Sequence, residues 1–421
     1  MSTPIRVKLL KSVYPLQDNI EIAGMIRFSS SYTKKVSEEV IKQKNSDSSL
    51  TPHFIFLIDT SYSMQEENKI GKLKESLKKF INYGYLDDVY LSIVVFDKYS
   101  QVILNYLNVS QNKNLIIEKI DSLEADGSQT YAYKGFKEIF DSITVLNRNS
   151  VNKVIYFTDG DDFDTDYALK MIEKLVKEKR FLVTSVGIGE EYNADFLLEA
   201  ADIGRGGFYH LNRMENFFDD IKEEIQHTYS ETITNAEIVN IFYPSSVEII
   251  EVYKVGKGVT KLDFNEKEIF CGHIAENDQI FFKLRIKKVK TPGQYTILNA
   301  SLKYFVGNKE ENKEFSFKVL LSNNQETLSN VSIDNEVVEL NKIISLYKKV
   351  KKIQGYQAEN NEKEIKRIIN EISPLLKQIS DNEDIQQIID DIKNGKTITS
   401  EMTRTLLSFT RTKTITKTDT D

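Results

Sequence analysis

The middle of the chain alternates between short apolar runs and segments with helical spacing. The runs at residues 54–58 and 154–157 are almost entirely apolar, which is typical of strands buried on both faces of a parallel sheet. Between them, apolar residues such as Leu73 and Leu77 recur every three or four positions, which indicates an amphipathic helix. Because strands and helices alternate in this way over residues 52–229, the pattern predicts a doubly wound α/β domain.

On both sides of this region the hydrophobic period changes to two. Residues 1–30 and 230–325 alternate between apolar and polar positions and are separated by turn signals, which predicts strands of a β-sandwich. We expect the N-terminal strands to join the later ones, so that the α/β domain is inserted in the sandwich or followed by it. Residues 31–51 are rich in Ser, Lys and Glu and predict a loop or linker with room for a short helix.

The last part of the chain returns to helical spacing. Residues 334–409 carry apolar stripes such as Val337, Leu340 and Ile344, which predict a small helical bundle or hairpin array. These helices offer a second contact surface or an oligomer interface. Residues 410–421 are rich in Thr, Lys and Asp and predict a disordered tail.

Composition and charge restrict the setting in which the protein acts. The chain has 421 residues and a net charge of -7, which argues against non-specific binding to nucleic acid. Its one cysteine, Cys271, excludes a disulfide within the chain. The polar N-terminus lacks the apolar segment of a signal peptide, and no run reaches the roughly 18 apolar residues of a membrane span. We therefore expect a cytoplasmic protein without a membrane span.

Oxygen-bearing side chains follow the predicted buried strands. Asp59, Ser61 and Ser63 come directly after the first apolar run, Thr130 lies in a loop before a helix, and Asp159 ends the run at residues 154–157. Because ligands of open α/β sheets bind at the carboxyl ends of the strands, these side chains are expected at one edge. Carboxylates and hydroxyls are hard ligands that favour Mg²⁺, with Mn²⁺ or Ca²⁺ as alternatives. A cage of this kind leaves a position that a carboxylate from another protein can fill.

The motif Asp59-x-Ser61-x-Ser63 with Thr130 and Asp159 resembles the metal-ion-dependent adhesion site of von Willebrand factor A (vWA) domains. The resemblance covers about residues 52–229 and implies a Rossmann-like vWA domain. It also implies that the serines, and sometimes the threonine, bind the metal directly, while the aspartates act largely through water. The partner would be a protein with an exposed Glu or Asp. The alternative is structural, since Ser and Asp also form loop hydrogen bonds and helix caps.

The residues around the motif suggest how such a partner is contacted. Tyr62, Asp161 and Asp162 are predicted to form a partner-binding rim. The acidic run that continues to Asp166 mimics a calcium-binding EF-hand loop, but Tyr167 stands where that loop needs glycine. We therefore expect the run to cap the next helix and to add negative potential near the metal.

Three functions are compatible with these features. The first is a metal-dependent protein-binding module or scaffold, and the second is an adaptor subunit of an AAA-type ATPase complex. The third is a metal-dependent enzyme, which is disfavoured because the sequence places no convincing general base beside the site. We therefore predict a protein that is not an enzyme.

Overall fold

The computed structural model of the protein describes residues 5–46, 50–189, 191–211, 217–256, 258–264, 267–289, 291–359, 361–379, 383–393, 396 and 399–412. The chain forms two compact units. Glu39–Thr234 forms one unit, and Met1–Glu38 together with Asn235–Asp421 forms the other. One unit is therefore inserted in the sequence of the other.

The chain begins with three short strands and a helix. They are β1 (Ile5–Leu9), β2 (Val13–Pro15), β3 (Ile20–Phe28) and α1 (Ser30–Ser46). The expectation of a linker over residues 31–51 is wrong for most of that segment. Thr33, Val36 and Val40 are buried at the spacing of one helix face. The two valines among many polar residues gave too weak a periodic signal for a helix of this length.

The inserted unit is built around one mixed sheet. Its strands are β4 (His53–Asp59), β5 (Tyr90–Phe96), β6 (Ser100–Asn108), β7 (Asn152–Thr158), β8 (Phe181–Ile188) and β9 (Arg205–Leu211). Its helices are α2 (Lys69–Asn82), α3 (Val109–Asp121), α4 (Ala132–Ser142), α5 (Thr165–Lys174), α6 (Ala194–Gly204) and α7 (Phe217–Ser230). The sheet order is β6-β5-β4-β7-β8-β9, and among the described strands of this sheet only β5 and β6 pair in an antiparallel way.

This sheet order has a reversal point between β4 and β7. From β4 the chain runs outward to β5 and β6, then returns across the sheet to β7. Every residue of β4 and β7 is buried, as the apolar runs predict. The α/β fold predicted from the alternating pattern is confirmed. Its carboxyl-end crevice lies where ligands of this architecture bind.

The chain then forms further strands and a helical end. The strands are β10 (Ile233–Phe242), β11 (Val247–Val255), β12 (Val259–Leu262), β13 (Ile269–Ile274), β14 (Gln279–Ile286), β15 (Gly293–Val306) and β16 (Lys309–Ser322). The helices are α8 (Gln325–Ser329), α9 (Asn335–Ala358), α10 (Glu362–Ile379), α11 (Glu383–Lys393) and α12 (Ser400–Thr412).

Two sheets form within this second unit. In the described residues they run β1-β3-β14-β11-β12 and β13-β10-β15-β16-β2, so the N-terminal strands contribute to both. Phe282 of β14 packs on Phe317 of β16 with ring centroids 5.3 Å apart, which joins the two sheets through their apolar faces.

The C-terminal helices extend the core of this unit. Leu340 and Ile344 of α9 pack in one cluster with Met25 and Phe281 from the sheets. Residues 410–412, expected in a disordered tail, belong to α12, and residues 413–421 lie outside the described part of the chain. None of the helices in the described residues is long and apolar enough to cross a membrane.

Candidate metal site

Asp59 lies at the reversal point of the sheet because of the strand register. Ile58 of β4 pairs with Phe157 of β7, so the next residues, Asp59 and Thr158, are neighbours. The Thr158 hydroxyl donates to Asp59 Oδ2 at 2.6 Å, and the backbone N–H of Ser61 donates to Oδ1 at 2.8 Å. Burial raises the pKa of Asp59 to about 6, against the lowering effect of the Thr158 hydrogen bond. The two hydrogen bonds, one to each oxygen, hold the Asp59 carboxylate in a fixed direction.

The two serines of the motif lie in a loop that is tied to the neighbouring segment. Tyr62 N–H donates to the carbonyl of Gly127 at 2.8 Å, and Gly127 N–H donates to the carbonyl of Thr60 at 3.0 Å. With the backbone held in this way, the hydroxyl oxygens of Ser61 and Ser63 lie 3.1 Å apart. These two oxygens form one side of the site.

Asp159 and Thr130 complete the group of five predicted donors. The Ser63 hydroxyl donates to Asp159 Oδ1 at 2.7 Å. A Cβ atom added to Gly160 would lie 3.3 Å from Thr130 Oγ1 and 3.7 Å from Ser63 Oγ, so both hydroxyls converge on this glycine. The structure thus brings Asp59, Ser61, Ser63, Thr130 and Asp159 together.

Lys69 also belongs to the site, although the sequence pattern did not predict it. Its Nζ donates to Asp159 Oδ2 at 2.6 Å, and the side chain is 13% exposed. Lys69 is the first residue of α2, which carries several further lysines at exposed or half-buried positions. No periodic signal distinguishes Lys69 from the other lysines. Thr158 was also missed, although its position before Asp159 at a strand end was a usable signal.

Of the three predicted rim residues, two are exposed and one forms hydrogen bonds inside the domain. Tyr62 is 64% exposed, and Asp161 is exposed as well. Asp162 instead accepts hydrogen bonds from Ala132 N–H and from the Tyr156 hydroxyl, both at 2.6 Å. Burial raises its pKa to about 8. Asp162 therefore braces the loop from inside and does not present its carboxylate at the rim.

The acidic run after β7 caps a different helix from the one expected. Asp162 and Asp164 accept the backbone N–H groups of Ala132 and Tyr133, at the start of α4. Asp164 precedes α5, but its side chain forms no capping bond there. The run thus ties the β7–α5 loop to the loop that carries Thr130.

The donor set fits a hard divalent cation. It combines two carboxylates with three hydroxyls, which are the hard oxygen ligands that such ions prefer, while Lys69 already pairs with one of the carboxylates and competes with a cation for it. Within the described residues, no group of three or more His, Cys, Asp or Glu side chains could hold a metal ion, so a metal bound here would depend on the hydroxyl oxygens as well as on the two carboxylates. The chemistry of these oxygen donors is compatible with a metal ion at the carboxyl ends of β4 and β7.

The comparisons with known proteins agree with this architecture. Residues 54–224 match the von Willebrand factor type A domain. The inserted unit is a vWA domain. The uncharacterized protein YfbK of Escherichia coli (strain K12) is 25% identical over 247 residues. That match covers 57% of this chain and 42% of YfbK, so this chain spans less than half of that relative.

Solved structures share the fold along nearly the whole chain. A von Willebrand factor type A protein from Catenulispora acidiphila superposes with a TM-score of 0.77 and 13% identity, covering 98% of this chain and 97% of its own. The ArnB paralog VWA2 from Sulfolobus acidocaldarius gives a TM-score of 0.59 and 16% identity, covering 97% of both chains. At these identities the likeness shows a shared fold alone.

Proposed function

We propose that the vWA domain binds a protein partner through a divalent cation and an acidic side chain of that partner. The observation that carries this proposal is the convergence of five oxygen donors at the reversal point of the sheet, with both oxygens of Asp59 fixed by hydrogen bonds. Many vWA domains are protein-interaction modules, and many hold a divalent metal at this position. The proposal assigns that role to this chain.

The side chains have different roles in the proposed site. The hydroxyls of Ser61, Ser63 and Thr130 would bind the ion, and Asp59 and Asp159 would supply the negative charge that a divalent cation needs. Mg²⁺ is the proposed ion because hard oxygen donors favour it, with Mn²⁺ or Ca²⁺ as alternatives. The bound ion would supply an electrophilic position for a Glu or Asp carboxylate.

The proposal is one of binding and not of catalysis. Exposed Tyr62 and Asp161 lie beside the donor residues and are available to a partner surface. We extend the proposal to a scaffold that acts in the cytoplasm, with the C-terminal helices as a further contact. This extension rests on the sequence pattern and charge.

The test is a calorimetric titration of the purified full chain with Mn²⁺ and with Mg²⁺. The wild-type protein should show saturable one-site binding, and Asp159→Asn should lose it because the site loses half of its carboxylate charge. Asp161→Asn is the matched control, since it removes an exposed carboxylate two residues away and should bind metal like the wild type. Absence of both binding heat and thermal stabilisation in the wild type at millimolar metal would refute the metal site.

The second step tests the acidic partner. Immobilised wild-type chain should retain its partner from a cell extract with Mg²⁺ and release it with EDTA. A synthetic peptide of the captured region should bind, and its Glu→Gln or Asp→Asn version should not. Capture that is insensitive to EDTA and to Asp159→Asn would assign the interaction to another surface.

A further inference from the structure

The carboxylate of Asp159 carries two different contacts. Its Oδ1 atom accepts the Ser63 hydroxyl at 2.7 Å, and its Oδ2 atom accepts the ammonium of Lys69 at 2.6 Å. The Asp159 side chain is fully buried, and its partner Lys69 is 13% exposed. A lysine of the chain itself thus neutralises one of the two acidic donors of the proposed metal site.

The two residues before Lys69 have an uncommon backbone conformation. Glu67 and Asn68 have φ values of 52° and 58°, so two consecutive residues other than glycine adopt the left-handed conformation. A Cβ atom on Gly71 would lie 2.2 Å from the amide oxygen of Asn68, so the Asn68 side chain occupies the space beside this glycine. This local strain ends at Lys69, where α2 begins.

The end of the Lys69 side chain packs against the backbone of a second glycine, Gly189. A Cβ atom on Gly189 would lie 3.6 Å from Lys69 Cε and 3.9 Å from Nζ, so the end of the lysine passes close to this backbone. Gly189 itself has a φ of 75°, which disfavours larger residues. The approach is enclosed, in contrast to the solvated position expected of a helix-surface lysine.

We propose that Lys69 is a built-in cation that competes with the divalent metal for Asp159 and thereby sets the metal affinity of the site. This inference rests on the proposed function. A divalent ion that uses Asp159 must displace the ammonium or tolerate a positive charge a few ångströms away, and either effect weakens metal binding. An ammonium displaced from Asp159 would remain near the ion, where it can pair with the carboxylate of an arriving partner.

The consequence is coupling between metal and partner. Without a partner carboxylate, Lys69 remains paired with Asp159 and thereby weakens metal binding. A partner carboxylate offers the ammonium a new acceptor and offers the metal a further ligand, so each binding event favours the other. The chain would then hold its metal firmly only in the complex.

The test measures the Mn²⁺ dissociation constant of the full chain by calorimetry for the wild type and for Lys69→Gln. Glutamine retains a hydrogen-bond donor for Asp159 and removes the charge. Lys69→Gln should bind Mn²⁺ about tenfold more tightly or better, as expected from removing one unit charge near the ion. Lys69→Arg retains the charge and should stay within about threefold of the wild type. Lys79→Met, an exposed lysine later in α2, should leave the constant unchanged.

Folding of each variant is checked by circular dichroism, and Lys69→Met serves as a second neutral variant if Lys69→Gln does not fold. An unchanged or weaker Mn²⁺ affinity in the neutral variants would overturn the role of Lys69. A wild-type chain that binds no Mn²⁺, while Asp159→Asn behaves identically, would instead overturn the proposed function itself. The two failures are therefore distinguishable.

Discussion

One hydroxyl at the end of β7 illustrates how single residues shape the site. Thr158 donates to Asp59 Oδ2 at 2.6 Å inside a fully buried pair. Thr158→Val has nearly the same volume but leaves that oxygen without its donor, so it should lower the free energy of unfolding by about 1–3 kcal/mol. It should also weaken Mn²⁺ binding, because Asp59 loses its fixed direction. Thr158→Ser retains the hydroxyl and is the control in urea unfolding and calorimetry. Equal stability of the valine and serine variants would contradict this role.

A second residue makes stability depend on pH at the other end of β4. His53 is buried, and its Nε2 lies 2.8 Å from Ser92 Oγ. Burial lowers the pKa of His53 from 6.5 to about 3, so the fold requires the neutral ring while the unfolded chain takes up a proton near pH 6.5. The contribution of the neutral His53 ring to the free energy of unfolding is therefore complete above pH 6.5. It is lost as the pH falls from 6.5 toward 3, by up to about 1.4 kcal/mol per pH unit.

His53→Gln isolates this effect. Glutamine cannot take up the proton, so the difference in unfolding free energy between wild type and variant should shrink as the pH falls from 7 to 5. Urea unfolding at several pH values measures it, and the other titrating groups cancel in the difference. Parallel curves for the two proteins would show that His53 does not titrate on unfolding in this range.

At the scale of elements, a buried ion network fixes the last helix of the vWA domain to its sheet. Lys153 of β7 lies 3.2 Å from both Glu224 and Glu231 and donates to the Thr228 hydroxyl at 2.9 Å. Lys153→Met leaves two buried carboxylates without their cation and should destabilise the domain by about 3–5 kcal/mol. Chemical unfolding measures the loss, and Lys153→Met combined with Glu224→Met should recover part of it. A loss below about 1 kcal/mol in the single variant would mean that packing alone holds α7.

The strands and helices of the vWA domain could be predicted from the sequence, whereas some of the contacts between them could not. The apolar runs of β4 and β7 and the stripe of α2 were readable because their periodicity reflects burial directly. Lys153 lies next to such a run, yet nothing local indicates that its partners come from α7, some 70 residues later. Lys69 was hidden for the same reason. The positions of donor residues at strand ends can be predicted, because the order of strands and helices brings those ends together. Ion pairs between residues far apart in the sequence cannot be predicted in this way, because no local pattern of residues marks them.

At the scale of the whole molecule, the described residues of each compact unit bury apolar side chains of their own. Residues such as Phe56, Leu77 and Ile155 form the core of the vWA domain. Met25 and Phe281 belong to the other unit, in a cluster with residues of α9. Because each unit has its own buried core, each is expected to unfold as a cooperative unit of its own.

Calorimetric unfolding should therefore show two transitions, and Mn²⁺ should raise the temperature of only one. A ligand stabilises the folded form that binds it by mass action, so only the vWA transition should move, and Asp159→Asn should abolish the shift. Phe282→Ala removes a buried ring from between the two sheets of the other unit and should lower the second transition, by about 3–5 kcal/mol in free energy, while leaving the metal shift intact. A single transition, raised by Mn²⁺ and lowered by Phe282→Ala, would show that the two units unfold as one.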